Sequence, residues 1–257
     1  MIIKQVLFPT AMRFTLADSR LLKESINVIS ELVNEVTFKL KKTGMELTAI
    51  DPANVAMIDF KLMPEAFSEY EIDKDTEISL NIENLKAVLK RAKPEDSIMM
   101  SLENGRVKVE LNGDGKKTFN LSLIDYDREQ QKLPNLKFNA KVVVPSAKFD
   151  DAISDMSVAS DSVALITEIN KFTMKSEGNL SDAKVEFPAS TAAITLGKDG
   201  EVSAKYAIEY LAKISKGSKL TDEVSISYSN DYPLKIEYNV NGKLYLGFVL
   251  APRVSND

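Results

Sequence analysis

Residues 81–93 read NIENLKAVLKRAK, and this pattern returns later in the chain. Ile82, Leu85, Val88 and Leu89 recur at the spacing that gathers them on one helical face, and Pro94 cannot continue the helix. From about Lys205 to Lys216, Ile208, Leu211 and Ile214 repeat that spacing, and Gly217 suits a helix end. Ile82 and Leu85 thus fall on Ile208 and Leu211, 126 positions downstream. Working outward, Ile26 and Ile29 fall on Ile153 and Met156, Val36 and Phe38 on Val163 and Leu165, and Met45 and Leu47 on Phe172 and Met174. Ile98, Met100 and Leu102 fall on Val224, Ile226 and Tyr228. The chain reads as a structural duplication, which presents equivalent surfaces twice, as rings and symmetric assemblies require.

Two further helices complete the pairs. One runs from about Arg20 to Val33, with Leu21, Leu22, Ser25, Ile26, Ile29 and Val33 on one face. The other starts at Pro145 and Ser146 and aligns Phe149, Ile153 and Met156. Between the helices, apolar residues alternate with polar ones at Val36, Phe38 and Leu40, at Val107, Val109 and Leu111, and at Leu234, Ile236 and Tyr238. Lys42-Thr43-Gly44, Asn104-Gly105, Asn112-Gly113 and Asn241-Gly242 mark the turns. The expected class is α+β: two similar domains, each of antiparallel sheets with two amphipathic helices on one face. The domains are placed at 12–122 and 137–257, joined by a polar connector at 123–136 that lacks clean periodicity and contains Pro134.

The 257 residues, 44% of them hydrophobic, suffice for two ordinary cores. No apolar run approaches the ~18 residues of a membrane helix. The opening MIIKQVLFPTAMRF is broken by Lys4, Gln5, Pro9 and Arg13, unlike a secretory signal, so the expected address is the cytoplasm, or the nucleus in a eukaryote. Cysteine and histidine are both absent. That excludes disulfides, thiolate nucleophiles, zinc–sulfur sites and every triad that needs an imidazole. No catalytic residue, metal or cofactor is expected.

The net charge is −5, yet it is unevenly distributed. Over 20–33, 82–93, 146–156 and 205–216, ten basic and seven acidic residues leave +3 on the helices and −8 elsewhere. The second and fourth helices carry +3 and +2, the first is neutral, and the third, with Asp150, Asp151 and Asp155, is −2. A basic helical face on an acidic body can meet phosphates with one surface only. On the second helix no aromatic residue is interleaved with the lysines, which favours contact with a duplex backbone over stacking on single-stranded bases. A merely solvated lysine face is the competing reading.

At this point the chain resembles the proliferating cell nuclear antigen family, the archaeal and eukaryotic sliding clamps of DNA replication. The resemblance is carried by LVNEVTFKL at 32–40, IDPANVAMIDF at 50–60 and LKAVLKRAKPEDSI at 85–98. It continues in LIDYDREQQKLP at 123–134, YPLKIEY at 232–238 and LAPRV at 250–254. The first eleven residues stand outside it, as an extension or because Met12 is the natural start. The resemblance implies a DNA clamp fold that forms a ring of three subunits, encircles double-stranded DNA and tethers DNA polymerase, clamp loader, flap endonuclease and DNA ligase through short peptide motifs. It implies DNA-facing positions at Lys23, Lys90 and Lys216, with Lys86, Arg91, Lys93, Lys205, Lys213 and Lys219 nearby. Ser30, Ala87 and Ser154 stand where many relatives carry a basic residue. It implies a partner-peptide pocket at Ile50, Asn54, Val55, Met57, Gln131, Leu133, Pro134, Tyr232, Pro233, Val249, Ala251 and Pro252. Gln131 is polar where relatives are often apolar.

Competing readings are a subunit of a ring of non-identical chains, a peptide-binding scaffold independent of DNA, and a metal-dependent nuclease using Asp150, Asp151 and Asp155. The run Asn112–Lys117 fails the spacing of a phosphate loop and reads as a hairpin turn.

Overall fold

A computed structural model describes residues 12–125, 132–198 and 200–253. The first half runs β1 (Met12–Leu16), α1 (Arg20–Ile29), β2 (Glu35–Lys41), β3 (Gly44–Ile50), β4 (Ala56–Leu62), β5 (Glu69–Ile72), β6 (Thr76–Asn81), α2 (Ile82–Leu89), β7 (Ser97–Glu103), β8 (Arg106–Asn112) and β9 (Lys116–Ser122). The second runs β10 (Ala140–Pro145), α3 (Ser146–Met156), β11 (Ser162–Glu168), β12 (Lys171–Glu177), β13 (Asp182–Pro188), β14 (Ala193–Leu196), β15 (Val202–Ala207), α4 (Ile208–Ile214), β16 (Glu223–Tyr228), β17 (Leu234–Val240) and β18 (Leu244–Leu250). The order of strands and helices is the same in both, as the repeat requires.

Sheet order repeats as well. The order β5-β1-β7-β8-β9 recurs as β14-β10-β16-β17-β18, and β4-β3-β2-β6 recurs as β13-β12-β11-β15. The halves fuse because β18 pairs antiparallel with β4, from Leu244 opposite Leu62 to Leu250 opposite Ala56, making one nine-stranded sheet. In the repeat, β9 is the counterpart of β18 and β13 that of β4. Each of these lies at a sheet edge and has an unpaired side among the described residues.

Helix boundaries show where local chemistry overrode the periodicity. Asn81 caps α2 by accepting the Asn84 N–H at 3.1 Å. The helix ends at Leu89, short of Lys93, because in a continued helix the Pro94 ring would clash with the Lys90 carbonyl four residues back. The Arg91 and Ala92 N–H groups therefore bond three residues back, to Val88 and Leu89. The fourth helix begins at Ile208, three residues after the expected start, because Val202, Ala204 and Tyr206 point into the core at period two. After Ile214 it tightens into a 3-10 turn, Ser215–Lys219. Gly217 is not a left-handed cap: a Cβ there would lie 2.4 Å from the buried Tyr238 ring, so the glycine exists to admit the ring.

The helices form one layer. α1 packs against α2 and the 215–219 turn, while α3 packs against α4 and the same turn. They cover the inner faces of the sheets, whose residues (Phe38, Phe60, Phe248 and Ile236 among them) are buried.

Candidate functional site

Two surfaces carry most of the residues singled out by sequence: the helical layer and the opposite face of the nine-stranded sheet.

On the helical layer, polar bonds stitch the two halves together. Arg20 on α1 donates to the Lys219 carbonyl, and the Lys216 ammonium lies 2.9 Å from the Glu31 carboxylate just after α1. Glu31 also meets Lys86 of α2 at 3.9 Å, and Lys86 pairs with Glu83 at 3.2 Å. The hydrogen bond from Lys216, with the charges of Lys86 and Lys213, holds the Glu31 carboxyl below its usual value against a smaller opposing effect of burial. Lys23 donates to the Ala92 carbonyl, Lys93 lies 3.4 Å from Asp114, and Lys213 is 2.7 Å from Glu209. Lys90, Arg91 and Lys219 have exposed side chains without a polar partner among the described residues.

Lys205 departs from expectation. It lies on strand β15, opposite Ala164, in a row that continues through Lys175 and Lys184 on the exposed face of its sheet. Its buried neighbours Ala204 and Tyr206 point toward the helices, so Lys205 points away from them. It is removed from the helical face. Asp150 on α3 accepts hydrogen bonds from Ser215 and Ser218 and so anchors the 3-10 turn, while Asp151 and Asp155 are exposed. No group of three metal-ligating side chains exists among the described residues.

On the opposite face, side chains directly across neighbouring strands share a side. Ile50 lies opposite Met57, Met57 opposite Val249, and Val249 opposite Lys235, so a half-exposed, largely apolar row crosses the seam between the halves. Beside it lies a groove of about 190 Å³ lined by Leu133, Pro134, Asn135, Leu136 and Phe138 from the connector side and Asp59, Lys235, Tyr245, Gly247 and Val249 from the sheet. Leu133 is 40% exposed, an apolar side chain offered to solvent at the groove's edge.

The loop at the row's end is tightly built. The Asp51 carboxylate accepts the N–H groups of Ala53, Val55 and Ala56 and the Tyr210 hydroxyl. Burial pushes this carboxyl up, but those donors outweigh it and hold it below its usual value. Asn54, at the exposed tip, takes a left-handed φ of 58°, and the Val55 carbonyl accepts the Ala251 N–H, tying the C-terminal segment to the loop. Tyr232 packs edge-on against Phe138, with centroids 6.2 Å apart. Pro233 and Pro252 are half-exposed beside these residues in sequence, and Gln131 lies outside the described residues.

Sequence reading missed the sheet side of the groove: Asp59, Lys235, Tyr245 and Gly247. The period-two signal was available, since Asp59 is two residues from Met57, and Gly247 and Tyr245 are two and four from Val249. A Cβ on Gly247 would come 2.5 Å from the Tyr245 hydroxyl, so the glycine lets the ring lie flat across the sheet. The ring sits 5.7 Å from both Lys61 and Lys235, and its hydroxyl donates to Glu237. Burial raises the Asp59 carboxyl above its usual value, although Lys61 and Lys235 pull it back.

Comparison with known proteins gives two contiguous matches: "Proliferating cell nuclear antigen, N-terminal domain" over residues 12–131 and "Proliferating cell nuclear antigen, C-terminal domain" over residues 132–253. The chain is 35% identical to a DNA polymerase sliding clamp of Pyrococcus abyssi over 231 residues, which is 89% of this chain and 93% of that protein. It is similar to the crystal structure of PCNA from Thermococcus kodakaraensis, with a TM-score of 0.88 and 26% identity over 94% of this chain and 100% of that one. It is also similar to a chain of the PCNA2–PCNA3 complex of Sulfolobus tokodaii, with a TM-score of 0.86 and 25% identity over 94% and 99% of the two chains.

Proposed function

The chain belongs to the proliferating cell nuclear antigen family of DNA polymerase sliding clamps, non-enzymatic processivity factors, and from this we propose that three copies close into a ring around duplex DNA. The observation that carries the proposal is the β18–β4 seam together with its two open counterparts. One copy's β9 and the next copy's β13 repeat, between chains, the pairing that β18 and β4 make within one. Half-exposed Phe119 and Leu121 on β9 and Ala183 and Val185 on β13 supply apolar side chains. Such a head-to-tail contact uses different surfaces on the two partners and generates a ring where the rotation closes.

In that ring the helical layer lines the hole. Lys23, Lys90, Arg91, Lys216 and Lys219, with Lys86, Lys93 and Lys213, meet phosphates without reading bases. Enclosure replaces grip: a closed ring cannot leave sideways, so its contacts can stay weak enough to slide. The outer groove takes a short peptide motif from DNA polymerase, clamp loader, flap endonuclease or ligase, with apolar anchors on the Ile50–Met57–Val249 row and against Leu133 and Pro134. The cytoplasm, or the nucleus in a eukaryote, is the corresponding address.

Native mass and primed-circle synthesis test the proposal. The purified chain is expected at three times its single-chain mass and, with a clamp loader, to lengthen polymerase products on primed circular DNA. Unchanged products would exclude the clamp and favour a DNA-independent scaffold. A second reading draws on the likeness to the PCNA2–PCNA3 complex: a ring of non-identical chains. A monomer or dimer that trimerises only on addition of a second clamp chain would select it.

A further inference from the structure

We propose that Glu31 is a built-in counter-ion that weakens the helical layer's hold on DNA phosphates. The inference rests on the reading of this layer as the duplex-facing wall. Glu31 lies just beyond α1, between a lysine of the first half, Lys86, and a lysine of the second, Lys216. Its carboxylate is 2.9 Å from the Lys216 ammonium and 3.9 Å from that of Lys86. The Glu31 side chain is 29% exposed and Lys216 is 51% exposed, so the pair sits at the surface a phosphate would approach. A phosphate that engages Lys216 must compete with a carboxylate already in contact. Lys90, Arg91 and Lys219 face no such competitor among the described residues.

The layer therefore holds two classes of cation. Unpartnered ones bind phosphate directly and set the salt dependence. Lys86 and Lys216 arrive with their charge largely answered from within the protein, and contribute less than their position suggests. Each phosphate neutralised by an unencumbered cation adds about 0.9 to the log–log slope of affinity against salt. A sliding protein benefits from keeping that number small. The Glu31 carboxylate stays ionised at neutral pH, consistent with the downward shift that Lys216 and Lys86 impose on it.

The test measures equilibrium binding of a short blunt-ended duplex, which can thread a closed ring, across a salt series. Glu31→Gln keeps size and hydrogen-bonding capacity while removing the charge. It is expected to tighten binding and steepen the slope by about 0.9 for each phosphate newly engaged. Lys216→Ala is expected to flatten the slope less than Lys90→Ala in the parent protein, and as much as Lys90→Ala in the Glu31→Gln background. A purely structural tie between the halves would instead lower the melting temperature of Glu31→Gln and leave its slope unchanged, which overturns the inference. Lys90→Ala separates the two levels. If it flattens the slope while Glu31→Gln does not steepen it, the counter-ion role fails alone; if neither moves, the layer is not the duplex-facing wall.

Discussion

The Tyr210 hydroxyl donates to the Asp51 carboxylate at 2.9 Å, joining helix α4 of the second half to the loop between β3 and β4 of the first. The same carboxylate organises that loop by accepting three backbone N–H groups, so one side chain both shapes the rim of the outer face and holds the halves together. The bond also pushes the Tyr210 phenol up to about 12, with burial the larger cause.

Removing the hydroxyl alone, in Tyr210→Phe, is expected to cost about 2 kcal/mol, within the range of hydrogen bonds to charged groups. Asp51→Ala strands three N–H groups as well and is expected to cost more, about 3 kcal/mol. Urea denaturation of the two variants checks the order; equal losses would mean that the loop does not depend on the carboxylate.

The acid limb of stability follows from the same group. The folded protein holds Asp51 below its unfolded value, so its contribution is fully present above the ordinary carboxylate pKa of about 4 and is lost as pH falls through the folded value. Asp51→Asn is expected to be less stable than the parent at pH 7 and to lose less on acidification. Asp59 has the opposite sign: burial raises it, so Asp59→Asn is expected to gain stability at pH 7 and to lose that gain toward pH 3. Denaturation midpoints from pH 3 to 7 measure both, and parallel curves for all three proteins would refute the assignment.

Gly217→Ala is expected to destabilise the second half by about 1–3 kcal/mol, the usual cost of overpacking. The added methyl meets the ring of Tyr238, which is fully buried and whose hydroxyl bonds the Ile214 carbonyl. Adding Tyr238→Leu to Gly217→Ala should recover part of the loss, as calorimetry would show.

Leu133→Ala is expected to weaken peptides of the proposed clients about tenfold with little change in assembly or melting temperature, because Leu133 is 40% exposed at the groove's edge and a bound peptide would supply its remaining cover. Titration calorimetry with a client's motif peptide is the measurement. An unaltered affinity would remove the connector from the pocket.

If the proposed ring forms through β9 and β13, Phe119→Asp is expected to convert it to single chains that remain folded, since Phe119 is only half-buried in one copy and an aspartate there would be desolvated in that contact. Light scattering reads the mass. A persistent trimer would place the contact elsewhere.

Much of this architecture was legible in the sequence because it rests on local periodicity. The third helix falls at Ser146–Met156, where Pro145, Ser146 and the Phe149–Ile153–Met156 spacing place it. The Asn104-Gly105 hairpin has positive φ at both residues, as that dipeptide favours. The start of α4 was missed because Val202, Ala204 and Tyr206 abut the helical pattern without a breaker, so two periods merge at Ala207. The choice of β4 as partner for β18 depends on residues nearly two hundred positions apart, and no local pattern encodes it. Asp59 and Tyr245 were overlooked for a related reason: each becomes part of a groove only when those distant strands meet.

Strand β18 follows every other strand in chain order, yet it fills the position that turns two modules into one sheet. During translation the first module therefore emerges with both β4 and β9 bare, and it must wait for more than a hundred further residues before β4 is covered. Bare strand edges invite pairing with neighbouring chains. The nascent protein is accordingly most exposed to wrong partners while its second half is still on the ribosome.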